Sequence, residues 1–332
     1  MKRALLHSLM DLFGVTAVRW RNRRPGLYCF NFHRVGNDDG TAFHPNLYSC
    51  TGARFAELVQ FLQQSFEMIG LDRLVQMIEV REAPNQCFGM ITFDDGYADN
   101  FEVAYPILRE LNCAAVFFLP TDFIDGNDIP WWDQIAWCVA QLGDGKLHIP
   151  GVTERLIVRR SDLRGSIRRV LRAVKSSPAV SMADKVDAIR RQVGLSDPHK
   201  AVSGLFMSWE HVKEMRRGGM WFGSHCASHR ILSHLSEAEQ WSELSRSKRA
   251  LESNLGEPVT ALSYPVGGYD SYTAATQRLA KDCGYRLAFN FTGDGGVNGS
   301  PGGRPYELVR MAVDGNMNTQ ELRRMVALAR VY

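Results

Sequence analysis

Short apolar runs alternate with longer stretches in which apolar residues recur at helical spacing. Residues 114–119 are continuously apolar, which is typical of a strand covered on both faces. The apolar residues at 55, 58, 59 and 62 fall on one face of a helix. Further strands are predicted at 27–32, 66–69, 87–93, 259–264, 285–291 and 307–313, and further helices at 71–80, 100–111, 209–217, 237–255, 271–283 and 319–331. Strands that alternate with helices indicate an α/β fold with a mostly parallel sheet, and a barrel fits the length of 332 residues.

The alternation stops between about Asp144 and Gly204. Two arginine-rich helices are predicted there, at 163–174 and 182–193, with little strand character. We interpret this region as an inserted helical subdomain. Its arginines are expected to form a solvated face, and contact with a phosphate or an acidic substrate is the alternative. The predicted domain scheme is an N-terminal segment, 1–26, and a barrel, 27–332, that carries the insertion at about 144–204.

The composition limits the classes of partner and the compartment. A net charge of +3 and an isoelectric point near 8.5 are too mild for a nucleic-acid-binding surface, so no nucleic acid partner is predicted. Seven cysteines are scattered without a C-x-x-C pair, and several lie in apolar runs, as buried free thiols do. No secretory signal and no membrane-spanning helix are evident. We therefore expect a cytoplasmic protein.

The N-terminal segment is amphipathic and ends in basic residues. Apolar residues recur roughly at helical spacing from Leu5 to Phe13, and Trp20 lies among four arginines at 19–24. A helix of this kind can lie on a membrane surface. The simpler interpretation is a helix packed on the barrel with a solvated basic turn. Peripheral membrane contact is kept as the alternative.

Two apolar segments end in side chains that bind metals. The run from Met90 to Tyr97 delivers Asp94 and Asp95. Two carboxylates at the mouth of a buried strand need a cation, donors or solvent nearby. The segment 220–229 carries His225 and His229, whose spacing allows both imidazoles to reach one ion. Asp95 and the two histidines would leave a coordination position for water, and Asp94 would remain as a base.

The motif Thr92-Phe93-Asp94-Asp95-Gly96, with His225-x-x-x-His229, resembles the polysaccharide deacetylase (NodB-like, carbohydrate esterase 4) family. The resemblance covers about Tyr28 to Met317, apart from the insertion. It implies a distorted (β/α) barrel of about seven strands. It also implies that Asp94 is the general base and that Asp95, His225 and His229 bind a divalent ion, with zinc as the expected metal. In such barrels the active site lies at the carboxyl ends of the strands.

The chain departs from the family pattern at two motifs. The last motif usually contains Leu-x-His, whose histidine is the general acid, but this chain has Leu308-Val309-Arg310. We predict that His33 replaces that acid, because Phe32-His33-Arg34 resembles a Tyr/Phe-His motif on the first strand of exopolysaccharide deacetylases. The third motif has Ser263 where an arginine usually orients the base. Arg310 is predicted to hold Asp94 from the other side instead.

Substrate contacts are predicted in the turn after the third motif and near two tryptophans. The resemblance implies that a backbone N–H near Val266 assists the metal in holding the substrate carbonyl, and Tyr264 and Pro265 flank it. Trp131 and Trp132 could stack on a sugar ring, although the helical spacing around them argues equally for packing. The histidines at 44, 148, 199, 211 and 234 and the thiol of Cys226 are expected to be structural.

The sequence therefore predicts a metal-dependent hydrolase that removes the N-acetyl group from an amino sugar. The substrate would be a glycan or a lipid-linked glycan precursor of the cell envelope. Alternatives are a deformylase or another amide hydrolase of the same fold. The alternative from a different class is a non-catalytic glycan-binding domain, which the two departures motivate and an intact Asp94 argues against.

Overall fold

The computed structural model describes residues 13–37, 41, 43–126, 128–176, 180–194, 204–291 and 296–332. The fold divides into two compact units. The first comprises residues 1–37, 48–125 and 206–332, and the second comprises 38–47 and 126–205. The predicted insertion at 144–204 falls within the second unit, and its boundaries stay a prediction. Most of the predicted amphipathic N-terminal helix, residues 5–12, lies outside the described residues.

A parallel sheet forms the centre of the first unit. The strands of the chain are β1 Gly26–Phe32, β2 Arg34–Val35, β3 Tyr48–Cys50, β4 Glu67–Met68, β5 Cys87–Asp94, β6 Ala115–Leu119, β7 Gly145–Leu147, β8 Leu156–Val158, β9 Trp221–Ser224, β10 Ala261–Ser263, β11 Leu287–Phe289, β12 Gly296–Val297, β13 Met311–Ala312 and β14 Arg330–Val331. The main sheet has the order β11-β10-β9-β6-β5-β1-β13, with β4 paired to the start of β5. Its seven-strand path curls into a half-barrel.

The two ends of this path approach each other. Leu308 forms a parallel bridge with Phe289 of β11 only three residues before β13 begins on the other side of β1. The peptide groups of Leu308 continue this contact, since its N–H donates to Ala288 and its carbonyl accepts from Asn290. The segment that leads to Arg310 therefore lies between the first and last strands of the sheet.

Helices lie between the strands along the chain. They are α1 Val15–Arg21, α2 Gly52–Ser65, α3 Leu71–Glu79, α4 Tyr105–Glu110, α5 Trp131–Leu142, α6 Leu163–Lys175, α7 Met182–Val193, α8 Trp209–Arg217, α9 Glu237–Leu255, α10 Ala274–Asp282 and α11 Thr319–Ala327. Helix α9 starts at a capping box formed by Ser236 and Glu239 and ends at Gly256, whose φ of 71° suits a residue without a side chain. Among the described residues, no helix has both the length and the apolar character needed to cross a membrane.

Alternating side chains of β1 and β5 separate an outer core from the barrel interior. Phe30, Phe32 and Phe93 belong to the outer core, which lies against helix α2. Facing the other way, β1 presents Leu27, Cys29 and then Asn31, and β5 presents Met90, Thr92 and then Asp94. The interior is thus apolar at the amino ends of these strands and polar at their carboxyl ends. Period-two alternation in a parallel pair explains why Asn31 and Asp94 point to the same place.

Three predicted elements differ from the structure. The predicted helix at 100–111 consists of a π-helical turn, Asn100–Ala104, followed by α4, because Pro106 cannot donate a backbone hydrogen bond. The predicted C-terminal helix ends at Ala327, and β14 follows it and pairs with β12. The insertion contains a hairpin, β7 with β8, although little strand character was expected there.

Candidate active site

The two aspartates lie where β5 ends and the chain turns sharply. Asp94 is the last residue of β5, and Asp95 and Gly96 follow with φ angles of 75° and 72°. A non-glycine residue in the left-handed region costs about 1 kcal/mol or more, and such residues cluster at functional sites. The turn is fixed because the carbonyl of Gly96 accepts from the N–H of Met207 at 3.0 Å. Asp94 and Asp95 are both buried, so their charges need specific partners.

His225 follows β9 and is held in one tautomer. Its Nδ1 lies 2.7 Å from the carbonyl oxygen of Ser263, and a carbonyl can only accept. Nδ1 therefore carries the proton, and Nε2 presents a lone pair. Nε2 lies 3.7 Å from Oδ1 of Asp95. Burial lowers the pKa of His225, although Asp94 acts in the opposite direction, so the neutral, ligating form is favoured.

His229 lies on a strained loop that Glu243 supports. Cys226 and His229 have φ angles of 65° and 55°. The Glu243 carboxylate, buried on helix α9, accepts from the N–H groups of Ala227 and Ser228 at 3.1 and 2.8 Å and from the Ser228 hydroxyl at 2.7 Å. Three hydrogen bonds to one charged group hold the loop that carries the histidine. Glu243 was not among the predicted site residues, because nothing in a helical pattern shows which loop a buried carboxylate will contact.

Asp95, His225 and His229 form a three-donor cluster. One oxygen and two nitrogens, all from buried residues, lie within 4.8 Å of one another. Oδ1 of Asp95 is 3.5 Å from Nε2 of His229 and 3.7 Å from Nε2 of His225, which is too long for hydrogen bonds. Donor atoms about 2 Å from one tetrahedral ion lie roughly 3.3 Å apart. The donor set and its spacing therefore fit a divalent cation, and nitrogen and oxygen donors of this kind suit zinc.

Asp94 makes a two-point ion pair with Arg310. Nη1 and Nη2 of Arg310 donate to Oδ1 and Oδ2 of Asp94 at 2.8 and 2.7 Å. The wholly buried guanidinium also donates to Oδ1 of Asn31 at 2.7 Å, to the hydroxyl of Ser263 at 2.8 Å and to the carbonyl of Asn290 at 3.2 Å. Burial alone would raise the pKa of Asp94, but the guanidinium outweighs it and holds that pKa well below its usual range.

The predicted contact between Arg310 and Asp94 is thus present, and Ser263 has a place in it. Ser263, which stands where the family pattern has an arginine, leaves room for the Arg310 guanidinium and accepts one of its N–H groups. Asn31 also donates to Oδ2 of Asp94 at 3.3 Å and accepts from the hydroxyl of Thr92 at 2.7 Å. Asn31 was not among the predicted site residues, although a polar residue in the otherwise apolar strand β1 indicates a polar contact.

His33 follows β1 at the same end of the barrel. Its backbone is held on both sides, since its N–H donates to the Ser49 hydroxyl at 3.0 Å and its carbonyl accepts from the Asn100 side chain at 2.8 Å. Its ring meets Phe291 edge to face, with centroids 5.9 Å apart. Burial lowers the pKa of His33, and Asp94 acts in the opposite direction. Because Phe32 pairs with Phe93, His33 and Asp94 follow at the same end of two adjacent strands.

The segment after His33 is tied to the loop that follows the two aspartates. Nε of Arg34 donates to Oδ2 of Asp99 at 2.7 Å, and the N–H of Val35 donates to Oδ1 at 3.1 Å. The Arg34 guanidinium lies over the rings of Tyr48 and Tyr97 at 4.3 and 4.5 Å. These contacts fix the position of His33 relative to the end of β5. Sequence patterns did not show this role for Asp99.

The turn after β10 contains the predicted substrate-binding residues. Val266 has a φ of 66°, and among the described residues its N–H has no acceptor. Tyr264 is buried, stacks on Tyr272 with centroids 4.2 Å apart, and donates its hydroxyl to the carbonyl of Tyr306. Pro265 is also buried. Substrate contact in this turn is therefore available to the backbone rather than to the Tyr264 ring.

Trp131 and Trp132 begin helix α5 in the second unit. Their rings meet edge to face at 5.4 Å, Trp132 is buried, and the ammonium of Lys175 lies 5.7 Å from the Trp131 ring. Packing within the second unit accounts for Trp132. A sugar contact by Trp131 stays a prediction.

Comparisons with known proteins agree with this geometry. The sequence model described as polysaccharide deacetylase matches residues 82–288, which is more than half of the chain. The chain belongs to the polysaccharide deacetylase family. Among curated proteins of this family, YxkH of Bacillus subtilis (strain 168), whose name assigns it provisionally to the polysaccharide deacetylases, is 23% identical over 247 residues. That alignment covers 73% of this chain and 57% of the relative, so the chain matches little more than half of the relative's length.

Solved deacetylase structures share the fold. The Streptococcus pyogenes deacetylase PplD, in complex with acetate, superposes with a TM-score of 0.59 at 19% identity and covers 91% of this chain and 99% of its own. IcaB from Ammonifex degensii superposes with a TM-score of 0.56 at 17% identity, and the match covers 92% of this chain and 98% of IcaB. A de-N-acetylase from Aggregatibacter actinomycetemcomitans superposes with a TM-score of 0.57 at 14% identity, and the match covers 90% of this chain and 99% of the de-N-acetylase. These likenesses confirm the predicted fold, a distorted barrel on a path of seven strands.

Proposed function

We propose that this polysaccharide deacetylase family member is a metal-dependent hydrolase that removes the N-acetyl group from an amino sugar in a glycan or a lipid-linked glycan precursor. The observation that carries the proposal is the pairing of two features at one end of the barrel. A carboxylate held in its ionised form by Arg310 lies beside three buried donors, Asp95, His225 and His229, that fit one divalent cation. Family membership supports a hydrolase of carbohydrate substrates.

The proposed cation, zinc or another divalent ion, would be held by Asp95, His225 and His229. Such an ion lowers the pKa of a bound water and polarises a carbonyl. The chain itself supplies the tautomer that ligation needs, because the carbonyl of Ser263 holds the proton on Nδ1 of His225. Glu243 supplies the rigid loop for His229.

Asp94 is the proposed general base. Its lowered pKa keeps the carboxylate ionised at neutral pH, so it can accept a proton from the attacking water. Arg310 and Asn31 fix the direction of its oxygens. Oδ2 lies 3.9 Å from Nε2 of His225, which places the base next to a proposed metal ligand.

His33 and Val266 complete the proposed machinery. Amide cleavage must deliver a proton to the departing amine, and His33, which follows β1 directly, is an imidazole at this end of the barrel that is not a proposed metal ligand. The N–H of Val266 has no acceptor among the described residues, and the backbone of Val266 has a left-handed conformation. A donor aimed at the substrate carbonyl stabilises the charge that develops on its oxygen.

The cellular setting is part of the proposal. A cytoplasmic enzyme with peripheral membrane contact would act on an envelope polysaccharide or its lipid-linked precursor before export. Two features support such contact: the arginines and Trp20 around helix α1, and exposed apolar side chains at the same end of the chain. The predicted apolar helix at residues 5–12 lies outside the described residues and supports nothing here.

Acetate release from a panel of substrates tests the function. The panel contains N-acetylglucosamine oligomers of increasing length, lipid-linked acetamido sugars and the matching N-formyl compounds. We expect the metal-loaded protein to release acetate from at least one acetamido sugar. Formate release with no acetate would favour the deformylase alternative. Glycan binding without release from any compound would contradict catalysis and favour a binding domain.

The role of His33 has a test of its own. We expect His33→Gln to lower kcat on the best acetamido sugar by about 10²–10⁴-fold, which is the usual contribution of general acid catalysis. An activated aryl acetate, whose leaving group needs no proton, should lose far less. His148→Gln is the control, because His148 is exposed on the second unit. Equal losses on both substrates would show that His33 positions other groups and does not donate the proton.

A further inference from the structure

A cavity lies in the first unit at the end of β1 opposite to the candidate active site. It has a volume of about 710 Å³ and is lined by helix α1 with the loop that follows it, by Tyr28 of β1 and by residues 326–331. Strand β1 begins at Gly26 beside this cavity and ends at Phe32, next to His33. Its seven residues span roughly 20 Å at about 3.3 Å per residue. We call it the basic cavity, and none of the proposed catalytic or metal-binding residues lines it.

The lining of the basic cavity is strongly positive. Arg19, Arg23, Arg24 and Arg330 line it, and no acidic residue does so among the described residues. Arg23 has a structural role, since it donates to the carbonyls of Trp20 and Ser65. Arg19 and Arg24 are exposed. Several guanidinium groups around one concave surface attract an anion, and guanidinium geometry suits the oxygens of a phosphate.

Exposed apolar side chains lie in the lining of the same cavity and just before helix α1. Val18 and Val331 line it and are 57% and 44% exposed, and Phe13, just before helix α1, is 75% exposed. These are three of the seven large apolar side chains that are exposed in the part of the chain that the structure describes. Exposed apolar groups beside arginines match the boundary of an anionic bilayer, where phosphates lie next to acyl chains. A soluble phosphate would need the arginines only.

We propose that the basic cavity binds the phosphate headgroups of an anionic phospholipid surface and docks the protein there. In this orientation the carboxyl ends of the strands, which carry Asp94 and Asp95, face away from the bilayer. A sugar on a short lipid linker in the same bilayer would then lie on the wrong side of the barrel. If the proposed function holds, docking therefore favours a glycan chain over a lipid-linked precursor, whereas the docking itself does not depend on that function.

The test is co-sedimentation of the full chain with vesicles of phosphatidylcholine alone and with one quarter phosphatidylglycerol. The charge-reversal variant is Arg19→Glu with Arg24→Glu. The matched control is Arg217→Glu with Arg249→Glu, which changes two exposed arginines outside the cavity by the same net charge. Each basic residue near an anionic surface contributes about fivefold in binding. We expect the cavity variant to lose at least tenfold in partition to the anionic vesicles and the control to stay within twofold of the parent.

Further experiments identify the ligand of the basic cavity and the orientation of the protein on the bilayer. Val18→Ser should weaken vesicle binding several-fold, and sn-glycerol 3-phosphate at millimolar concentration should compete poorly. Vesicles should leave the hydrolysis of soluble substrates unchanged, and so should the cavity variant. If the parent bound neutral vesicles as tightly as anionic ones, the docking proposal would be overturned. It would also be overturned if the cavity variant and the control lost vesicle binding to the same extent. Tight binding of glycerol phosphate with no effect of Val18→Ser would show a soluble phosphate site instead, and inhibition by vesicles would contradict the orientation.

Discussion

Replacing Arg310 with methionine should destabilise the protein by about 3–5 kcal/mol, which is the usual cost of leaving one partner of a buried ion pair uncompensated. The guanidinium is wholly buried and is the counter-ion of Asp94. Its removal also leaves Asn31 and Ser263 without a donor that they have in the parent. Urea denaturation measures the free energy of unfolding, and the deacetylase rate of the variant should fall at the same time.

A double variant separates the ion pair from packing. Because Asp94→Asn removes the uncompensated charge, Arg310→Met combined with Asp94→Asn should be more stable than Arg310→Met alone. If the two substitutions destabilise additively, the network around Arg310 stabilises the barrel by packing and neutral hydrogen bonds. The role of Arg310 in fixing the base would then lose its support.

Asp94→Asn should lower kcat/KM by about 10³-fold while the protein still binds its metal. Asparagine keeps the shape of the side chain and a hydrogen-bond acceptor, but it cannot take a proton from water. General base catalysis typically contributes about 10²–10⁴-fold. Asp95→Asn is the comparison, because it should weaken metal binding itself. Acetate release and metal stoichiometry, measured on the same preparations, distinguish the two aspartates.

The pH dependence of activity should reflect histidines and not Asp94. Arg310 holds the pKa of Asp94 well below its usual range, so this carboxylate stays ionised below pH 4. The stability that its ion pair contributes is lost progressively as the pH falls from about 4, the usual pKa of an aspartate, towards this lowered pKa. Burial lowers the pKa of His225, so its neutral form persists below about pH 6.5. The acid limb of kcat/KM should therefore lie below about pH 6.5. An acid limb above about pH 6.5 would contradict the lowered pKa of His225.

Most regular elements could be predicted because their patterns are local. The boundaries of α7, α8 and α9 follow from apolar periodicity and capping residues, as at Ser236 and Gly256. Strands β1 and β5 are long enough to show as apolar runs. The predicted strand at 307–313 contains β13, but β13 itself is only Met311–Ala312, and its bounds depend on pairing with a segment nearly three hundred residues away in the chain. Strand β14 falls within the predicted C-terminal helix, because its two residues show no strand pattern of their own and are in a strand only through pairing with β12.

The residues of the candidate site also differ in whether the sequence predicts them. Asp94, Asp95, His225 and His229 lie in compact motifs at strand ends, so their convergence could be predicted. The side chains that support these four residues could not be predicted. Glu243 meets the His229 loop from a helix, and Asn290 meets Arg310 through its carbonyl, and neither contact leaves a pattern in the sequence. Such supporting contacts depend on strand register and on the packing of elements distant in the chain.

The strain in the site is a further feature that the sequence concealed. Asp95, Cys226, His229 and Val266 all have positive φ angles, and all four lie in loops that follow barrel strands. Glycine or asparagine usually marks such positions, and none of the four is either residue. Buried hydrogen bonds, such as those that Glu243 accepts, offset the free-energy cost of these backbone conformations. Strained loops at functional sites are where pattern-based prediction is expected to fail.

The central claim is that a cation held by Asp95, His225 and His229 acts together with Asp94 to hydrolyse an acetamido sugar. The most direct measurement is acetate release by metal-stripped protein during stepwise addition of zinc, with the parent and Asp94→Asn run side by side. We expect acetate release by the parent to rise with bound zinc and to saturate at one ion per chain. We expect Asp94→Asn to bind the ion with little acetate release. Acetate release without metal, or full release by Asp94→Asn, would contradict the central claim.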